Sequence, residues 1–261
     1  MTVKTRKVDD ATLAVLSRVA CDGNVAFLPG LLERAQYLQI NEVLSAAGGK
    51  WNKKIGGHVF EEDPSDTLDS ILLSGEYGKP ADYGYFPTPE AMVDEMVTLA
   101  NLTAGMKVLE PSAGQGAIAK RAAMEIPREF ILCVELLEDN CKALHAGGFT
   151  TVQGDFLNIL VHEDYHRILM NPPFAKQQDI DHVTHALKFL VPGGLLIAIM
   201  ASGVTFRENA KTKSFIDMLE DYHYHIRPNP EGSFKISGTM VNTITLFVRK
   251  PMCDKGLLHV G

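Results

Sequence analysis

Cysteine is scarce in this chain. The four present, Cys21, Cys133, Cys141 and Cys253, show no CxxC spacing, which speaks for buried free thiols in a reducing cytoplasm rather than for paired or metal-bound sulfurs. The nine histidines are scattered, and the close pairs His182/His185 and His223/His225 have no cysteine or carboxylate at a spacing that would complete a tetrahedral zinc site, so no metal is expected. A basic excess is also missing. Lys plus Arg number 25 against 32 Asp plus Glu, a net charge of −7, which argues against a generally basic nucleic-acid coat but leaves room for a local basic patch. No long apolar run exists. The most apolar stretch, Phe189–Val204, is broken by Pro192, Gly193 and Gly194 and is too short to span a bilayer. Lys4, Arg6 and Lys7 are not followed by an apolar segment, so neither a secretory signal nor a membrane partner is expected. No internal repeat or low-complexity tract is found.

What is present is a globular composition, 46% hydrophobic and 22% charged. From about residue 86 onward, apolar runs alternate with helical spacings. Strands are expected at Lys107–Leu109, Phe130–Val134, Thr151–Gln153, Arg167–Met170, Leu195–Met200, Tyr222–Ile226 and Thr243–Val248. Helices are expected over Ala117–Met124, Leu137–Ala146, Asp179–Leu190 and Thr212–Glu220. Such alternation predicts a mostly parallel α/β sheet with a ligand at the carboxyl ends of its strands. The first 80 residues read differently, as an α+β appendage with helices over Asp10–Val19, Leu31–Ala46 and Thr67–Leu73, a small hairpin through residues 48–60, and a Gly/Tyr-rich connection over Gly75–Tyr85. The expected division is therefore an appendage of residues 1–80 and a catalytic domain of residues 81–261.

Chemistry concentrates at the strand ends. Glu110-Pro111-Ser112-Ala113-Gly114-Gln115-Gly116 follows the first strand and opens a helix, where glycines let the backbone approach a ligand and the helix start offers free N–H groups. Glu135 ends the second strand about 20 residues on, where a carboxylate can accept from both ribose hydroxyls of a nucleoside cofactor. Two glycines with a charged Glu110 suit a pyrophosphate poorly. They suit a cofactor with an amino-acid tail and a positive centre better. After the third strand, Asp155 could accept from an adenine amino group and Phe156 could cover the adenine face. After the fourth, Asn171-Pro172-Pro173-Phe174 combines an extended Asn with two residues lacking backbone donors. The Asn171 oxygen, the Pro172 carbonyl and the Phe174 ring would suit a planar substrate bearing an exocyclic amino group.

The segments EPSAGQG, VELLEDN, GDFL and ILMNPPF, in this order and spacing, resemble the class I S-adenosylmethionine-dependent methyltransferases, and among them the N6-adenine DNA methyltransferases. Phe86-Pro87-Thr88-Pro89 matches the segment that this family places beside the methionine end of the cofactor, and the motif order is that of the gamma type. The resemblance covers about residues 84–250. It implies a Rossmann-like, seven-stranded sheet and a cofactor, S-adenosylmethionine, which leaves as S-adenosylhomocysteine. It also implies cofactor contacts from Phe86, Thr88, Pro89, the turn Glu110 to Gly116 (Glu110, Pro111, Ser112, Ala113, Gly114, Gly116), Glu135, Leu136, Asp155, Phe156 and Asn171. Asn171, Pro172, Pro173 and Phe174 become the catalytic tetrapeptide.

Gamma-type enzymes usually carry a large target-recognition domain after the catalytic one. Here specificity is expected from the first 80 residues, from loops or from a partner. Lys50, Trp51, Lys53 and Lys54 cluster among glycines on the hairpin, the composition of a backbone-and-stacking contact, although Trp51 could instead anchor a small core. Arg207, Lys211 and Lys213 lie in Ser202–Lys213, expected as a mobile loop touching phosphate or the target base. Gly232–Thr239 resembles a loop of phage- and plasmid-borne members and contributes Phe234, Lys235 and Ser237 to the expected substrate contacts. DNA is the expected partner. The competing readings are an RNA N6-adenine enzyme with the same residues, a protein-glutamine methyltransferase (typically with Tyr in place of Phe174), a nicotinamide-dependent oxidoreductase and a non-catalytic DNA-binding decoy.

Overall fold

In chain order the N-terminal part runs β1 (Arg6–Lys7), α1 (Asp10–Leu16), β2 (Ala20–Asp22), β3 (Val25–Phe27), α2 (Arg34–Ala46), β4 (Lys50–Asn52), β5 (Gly57–Val59), α3 (Ser65–Ser74) and β6 (Glu76–Tyr77). The computed structural model describes residues 6–61, 63–77, 87–237 and 239–252. Phe86, Cys253 and most of the Gly75–Tyr85 connection lie outside the described residues. The side chain of Asp9 starts α1 by accepting from the Thr12 N–H at 2.9 Å. The expected hairpin around Trp51 is β4–β5. It is joined by a second hairpin, β2–β3, into a four-stranded antiparallel sheet of order β2-β3-β5-β4. Three-residue strands are too short to show a period in the sequence, which is why β2 and β3 went unforeseen.

The remainder runs α4 (Glu90–Ala100), β7 (Val108–Pro111), α5 (Ala117–Ala122), β8 (Ile131–Glu135), α6 (Glu138–Ala146), β9 (Thr150–Gln153), β10 (Tyr165–Met170), α7 (Gln178–Ala186), β11 (Leu190–Ala201), α8 (Ala210–Leu219), β12 (His223–Pro228) and β13 (Thr243–Arg249). Seven of these strands form one mixed sheet, in the order β12-β13-β11-β10-β7-β8-β9. β11, β10, β7, β8 and β9 are parallel, and β13 lies antiparallel between β11 and β12. Strand order reverses between β7 and β10, where Leu109 pairs with Ile168. Loops leaving two such strands diverge to opposite faces and open a crevice at their carboxyl ends.

The run expected to be buried on both faces is so: Leu196, Ile197, Ala198, Ile199 and Met200 have no exposed surface. β11 itself begins five residues before Leu195, because Pro192-Gly193-Gly194 forms a bulge and not a break. Tyr165 pairs with Leu190 and Arg167 with Leu195. One apolar cluster joins Leu16, Leu44 and Ile71 of the N-terminal part to Val97, Ile118 and Ile197 on one side of the sheet. A second, under α7 and α8, fills the other side with Val183, Leu187 and Leu219. Hydrogen bonds cross between the two parts: Thr239 Oγ1 donates to the Leu72 carbonyl at 3.0 Å and Asn242 Nδ2 to the Ser17 carbonyl at 3.0 Å. Among the described residues, no helix is long and apolar enough to cross a membrane.

Candidate active site

A cavity of about 360 Å³ opens at the carboxyl ends of β7, β8 and β10, within the ~300–1,000 Å³ usual for small-molecule clefts. Its floor is the turn after β7. Gly114 (φ 54) and Gly116 (φ 75) take left-handed conformations there, and a Cβ on Gly116 would come within 2.6 Å of the Leu144 side chain. Ser112 is also left-handed, at φ 59, a conformation that costs a non-glycine residue ~1–2 kcal/mol. Its Oγ shares a hydrogen bond of 3.1 Å with Nδ1 of His182, on α7. Burial holds the His182 ring down at about 4, so it is neutral near pH 7.

Two buried carboxyls organise the turn. Glu110 accepts from the Ala119 N–H at 2.6 Å and so satisfies a free donor of the first turn of α5. Burial pushes its carboxyl up to about 8, with the nearby charge of Glu135 acting in the same direction. Glu135, at the end of β8, accepts from the Gly114 N–H at 2.6 Å and from the Leu137 N–H at 2.8 Å, tying the turn to the next loop. Each of its oxygens retains acceptor capacity for a ligand. Across the strand reversal, Asn171 follows β10, and its Nδ2 donates to Thr88 Oγ1 at 3.1 Å. Lys176 (φ 51) and Gln177 (φ 56), two further left-handed residues, turn the chain sharply into α7 just beyond the tetrapeptide.

Residues 91–220, close to half of the chain, match the family model described as the methyltransferase small domain. The chain has the Rossmann-like fold of the class I methyltransferases. Solved structures share its fold at low identity. A Vibrio vulnificus protein assigned as the modification subunit of a type I restriction enzyme is 19% identical, with a TM-score of 0.56 over 66% of this chain and 46% of that one. The M protein of the type I restriction enzyme EcoKI is 17% identical, with a TM-score of 0.56 over 93% of this chain and 58% of that one. A Listeria monocytogenes protein assigned as a class I S-adenosylmethionine-dependent methyltransferase is 12% identical, with a TM-score of 0.53 over 69% of this chain and 64% of that one. The chain thus spans about half the length of the two modification subunits. No curated protein matches it in sequence.

Around the cavity lie Thr88, Glu110, Ser112, Ala113, Glu135, Leu136, Asp155, Phe156 and the whole Asn171–Phe174 tetrapeptide, brought together from four strand ends and the segment before α4. Pro89 precedes α4, whose N-terminus it caps without a side-chain bond. The geometry corrects several expectations. Glu110 is not a free negative charge in the turn but a buried cap on α5. Phe156 is almost wholly buried among His182, His185 and Phe189, at ring distances of 5.7, 5.0 and 5.4 Å, and offers the cavity an edge of an aromatic cluster rather than an open face. Asp155 is exposed, and it accepts from the Leu157 N–H at 3.0 Å and from Asn158 Nδ2 at 3.0 Å.

The expected substrate contacts depart further. Residues 202–213 are no open loop: Ser202–Thr205 is a 3-10 turn, and α8 starts where Asn209 caps the Thr212 N–H at 2.9 Å. Arg207 is buried and paired with Asp69 and, at 3.4 Å, Asp66 on α3; its charge is neutralised inside the protein and is not offered to phosphate. Lys211 pairs with Asp181 at 2.6 Å and Lys213 with Glu208 at 2.7 Å. Phe234 is fully buried, its ring edge-on to Phe174 at 5.9 Å, so each ring already has an aromatic neighbour. Lys235 pairs with Asp10 at 3.0 Å, and Ser237 Oγ donates to the Pro87 carbonyl at 2.6 Å. On the β4–β5 hairpin, Lys50, Lys53 and Lys54 are exposed and Trp51 is 44% exposed, so Trp51 is not a core anchor; it leans edge-on to Tyr37 at 6.2 Å and to the buried His58 at 5.1 Å.

Several lining residues were not foreseen, His182 and Leu73 among them. His182 read as half of a scattered histidine pair, and its role depends on Ser112, 70 positions earlier. Leu73, from α3, also reaches the cavity. An apolar helical spacing gives no hint that one of its members faces a ligand.

Proposed function

We propose that the chain transfers a methyl group from S-adenosylmethionine to the N6 amino group of adenine in DNA. The observation that carries this reading is the position of Asn171 and Pro172: at the end of β10, across the strand reversal from the turn after β7, in the same cavity as Glu135. The cavity's chemistry fits the cofactor. Glu135 keeps acceptor capacity for a ribose diol, and Ala113, Val134 and Leu136 provide apolar wall. Bound S-adenosylmethionine supplies an electrophilic methyl group on a sulfonium.

Asn171 is held by its Nδ2 donation to Thr88, which sets the amide so that its oxygen is the end turned away from Thr88. Pro172 and Pro173 bring no backbone N–H to the site. The Asn171 oxygen and the Pro172 carbonyl would each accept one N–H of the adenine amino group. Accepting both draws the nitrogen toward tetrahedral geometry and aims its lone pair at the methyl. One N–C bond forms as the C–S bond breaks, and the surplus proton leaves the nitrogen for water. Asn171, Pro172 and Phe174 would grip a base extruded from its stack, because the amino group is out of reach inside a duplex.

The modification subunits sharing the fold favour DNA over RNA as the substrate class. The test is transfer of labelled methyl from the cofactor to plasmid DNA, total RNA and protein, by the wild type and by Asn171→Ala. Label in DNA is expected, with the variant ~10²–10³ slower, the loss seen when one positioned hydrogen-bond partner is removed, and with cofactor affinity by calorimetry nearly unchanged. Equal loss of cofactor affinity would misplace Asn171, and label confined to RNA or protein would reject the proposal.

A further inference from the structure

Beside two residues that adjoin or belong to the cavity wall, Pro87 and Phe174, stands a turn with a side chain that the reaction leaves unused. Ile236 is 95% exposed, at the tip of a short 3-10 turn, Lys235–Ser237. Neither flank of this turn is loose. On one side Phe234 is fully buried and edge-on to Phe174 of the tetrapeptide at 5.9 Å. On the other, Ser237 Oγ donates to the Pro87 carbonyl at 2.6 Å, next to Thr88, which receives the Asn171 amide at 3.1 Å. Lys235 is drawn aside by Asp10 at 3.0 Å. Inside the turn, the Ser237 N–H donates to the Phe234 carbonyl at 2.9 Å and the Lys235 N–H to the Gly232 carbonyl at 2.9 Å. A β-branched side chain with few rotamers is thus presented to solvent on a mount fixed at one end to Phe174 of the tetrapeptide and at the other to Pro87, the neighbour of Thr88.

We propose that Ile236 is a wedge that enters the base stack of duplex DNA and occupies the space the target adenine leaves when it turns into the cavity. The inference rests on the reading of the site as an adenine N6 methyltransferase. Its physical basis is separate. Extruding a base breaks stacking and pairing, and a rigid apolar side chain inserted at the step offsets that loss by exchanging water for base faces on both its sides. A flexible or charged residue would do this poorly, through lost side-chain entropy or desolvation. Lys235, turned toward Asp10, leaves the tip apolar.

The wedge has work to do only where a stack must be opened, and this yields a test that needs no knowledge of the target sequence. Initial methylation rates are compared on native duplex plasmid and on circular single-stranded DNA of the same sequence, for the wild type, Ile236→Ala and Ile236→Met. The proposal expects Ile236→Ala to lose about 10–50-fold in kcat/KM on the duplex, the fold-change for losing the burial of such a side chain, and less than about 3-fold on the single strand. Ile236→Met, still apolar and large, should retain most of the duplex rate. Because the side chain touches little of its own protein, the melting temperatures should coincide. Equal losses on both DNA forms, or no loss on the duplex, would overturn the wedge while leaving the methylation reading in place. Absence of transfer to either form by the wild type would refute that reading and the wedge together.

Discussion

Replacing Arg207 by Met should destabilise the whole molecule and leave its surface chemistry almost untouched. The side chain of Arg207 is only 5% exposed; it reaches from the segment after β11 to Asp69 and Asp66 on α3, 138 and 141 positions earlier. Asp66 is half exposed, and water replaces its partner at little loss. Asp69 is largely buried and would be left as an uncompensated charge. Breaking a buried pair from one side costs ~3–5 kcal/mol, and at ~2–4 °C per kcal/mol for a chain of this size the melting temperature should fall by roughly 6–20 °C. The deficit is expected to depend on pH. Burial already holds the Asp69 carboxyl up to about 6, and without the guanidinium it rises further, so at pH 5 it takes up a proton and the unpaired charge disappears. Scanning calorimetry at pH 7.5 and pH 5 would read both effects. The double variant Arg207→Met/Asp69→Leu, which removes the pair altogether, should recover most of the loss. A single variant melting within about 2 °C of wild type at pH 7.5 would refute the claim that this pair clasps the N-terminal part to the sheet.

Two further outcomes follow from the same geometry. Glu110 is held up to about 8 against an ordinary 4.5, so between those values the folded state binds more protons than the unfolded one. Its contribution is complete below about pH 4.5 and is lost as pH rises through 8, so the urea midpoint should fall from pH 6 to 8.5 and fall less steeply in Glu110→Gln; parallel profiles would show that the carboxyl is ionised in the fold. Changing Lys50, Lys53 and Lys54 together to Gln should weaken DNA binding and lower the salt slope by up to about 3, at ~0.9 per phosphate contact. A folded triple variant with the wild-type salt slope would place DNA contact elsewhere.

The centre of the sheet was legible because β7, β10 and β11 contain apolar runs whose burial on two faces leaves no polar alternation, and because the turn after β7 needs glycines at fixed places. The residues at the strand ends were legible for the same reason: the fold gathers carboxyl ends, so Glu110, Glu135, Asp155 and Asn171 meet even though they lie far apart in sequence. Charges gave the poorest guidance. Arg207 sits in a polar run and reads as exposed, and only Asp69, from a distant helix, makes its burial tolerable. Phe234, flanked by Gly, Ser and Lys, has no periodic apolar neighbours to mark it as core; its partner, Phe174, is supplied by the tetrapeptide itself. Trp51 presents the opposite case. A lone tryptophan fitted either a stacking contact or a core anchor, and its place on the edge strand β4, 44% exposed and edge-on to Tyr37, removes the second.

The most direct measurement is nucleoside mass spectrometry of plasmid DNA incubated with the purified protein and an isotope-labelled methyl donor. The account predicts label in N6-methyldeoxyadenosine, with none when Asn171 is replaced by Ala and the digest is taken at an early time. Label in N4- or 5-methyldeoxycytidine, or unmodified DNA alongside labelled RNA or protein, would contradict it.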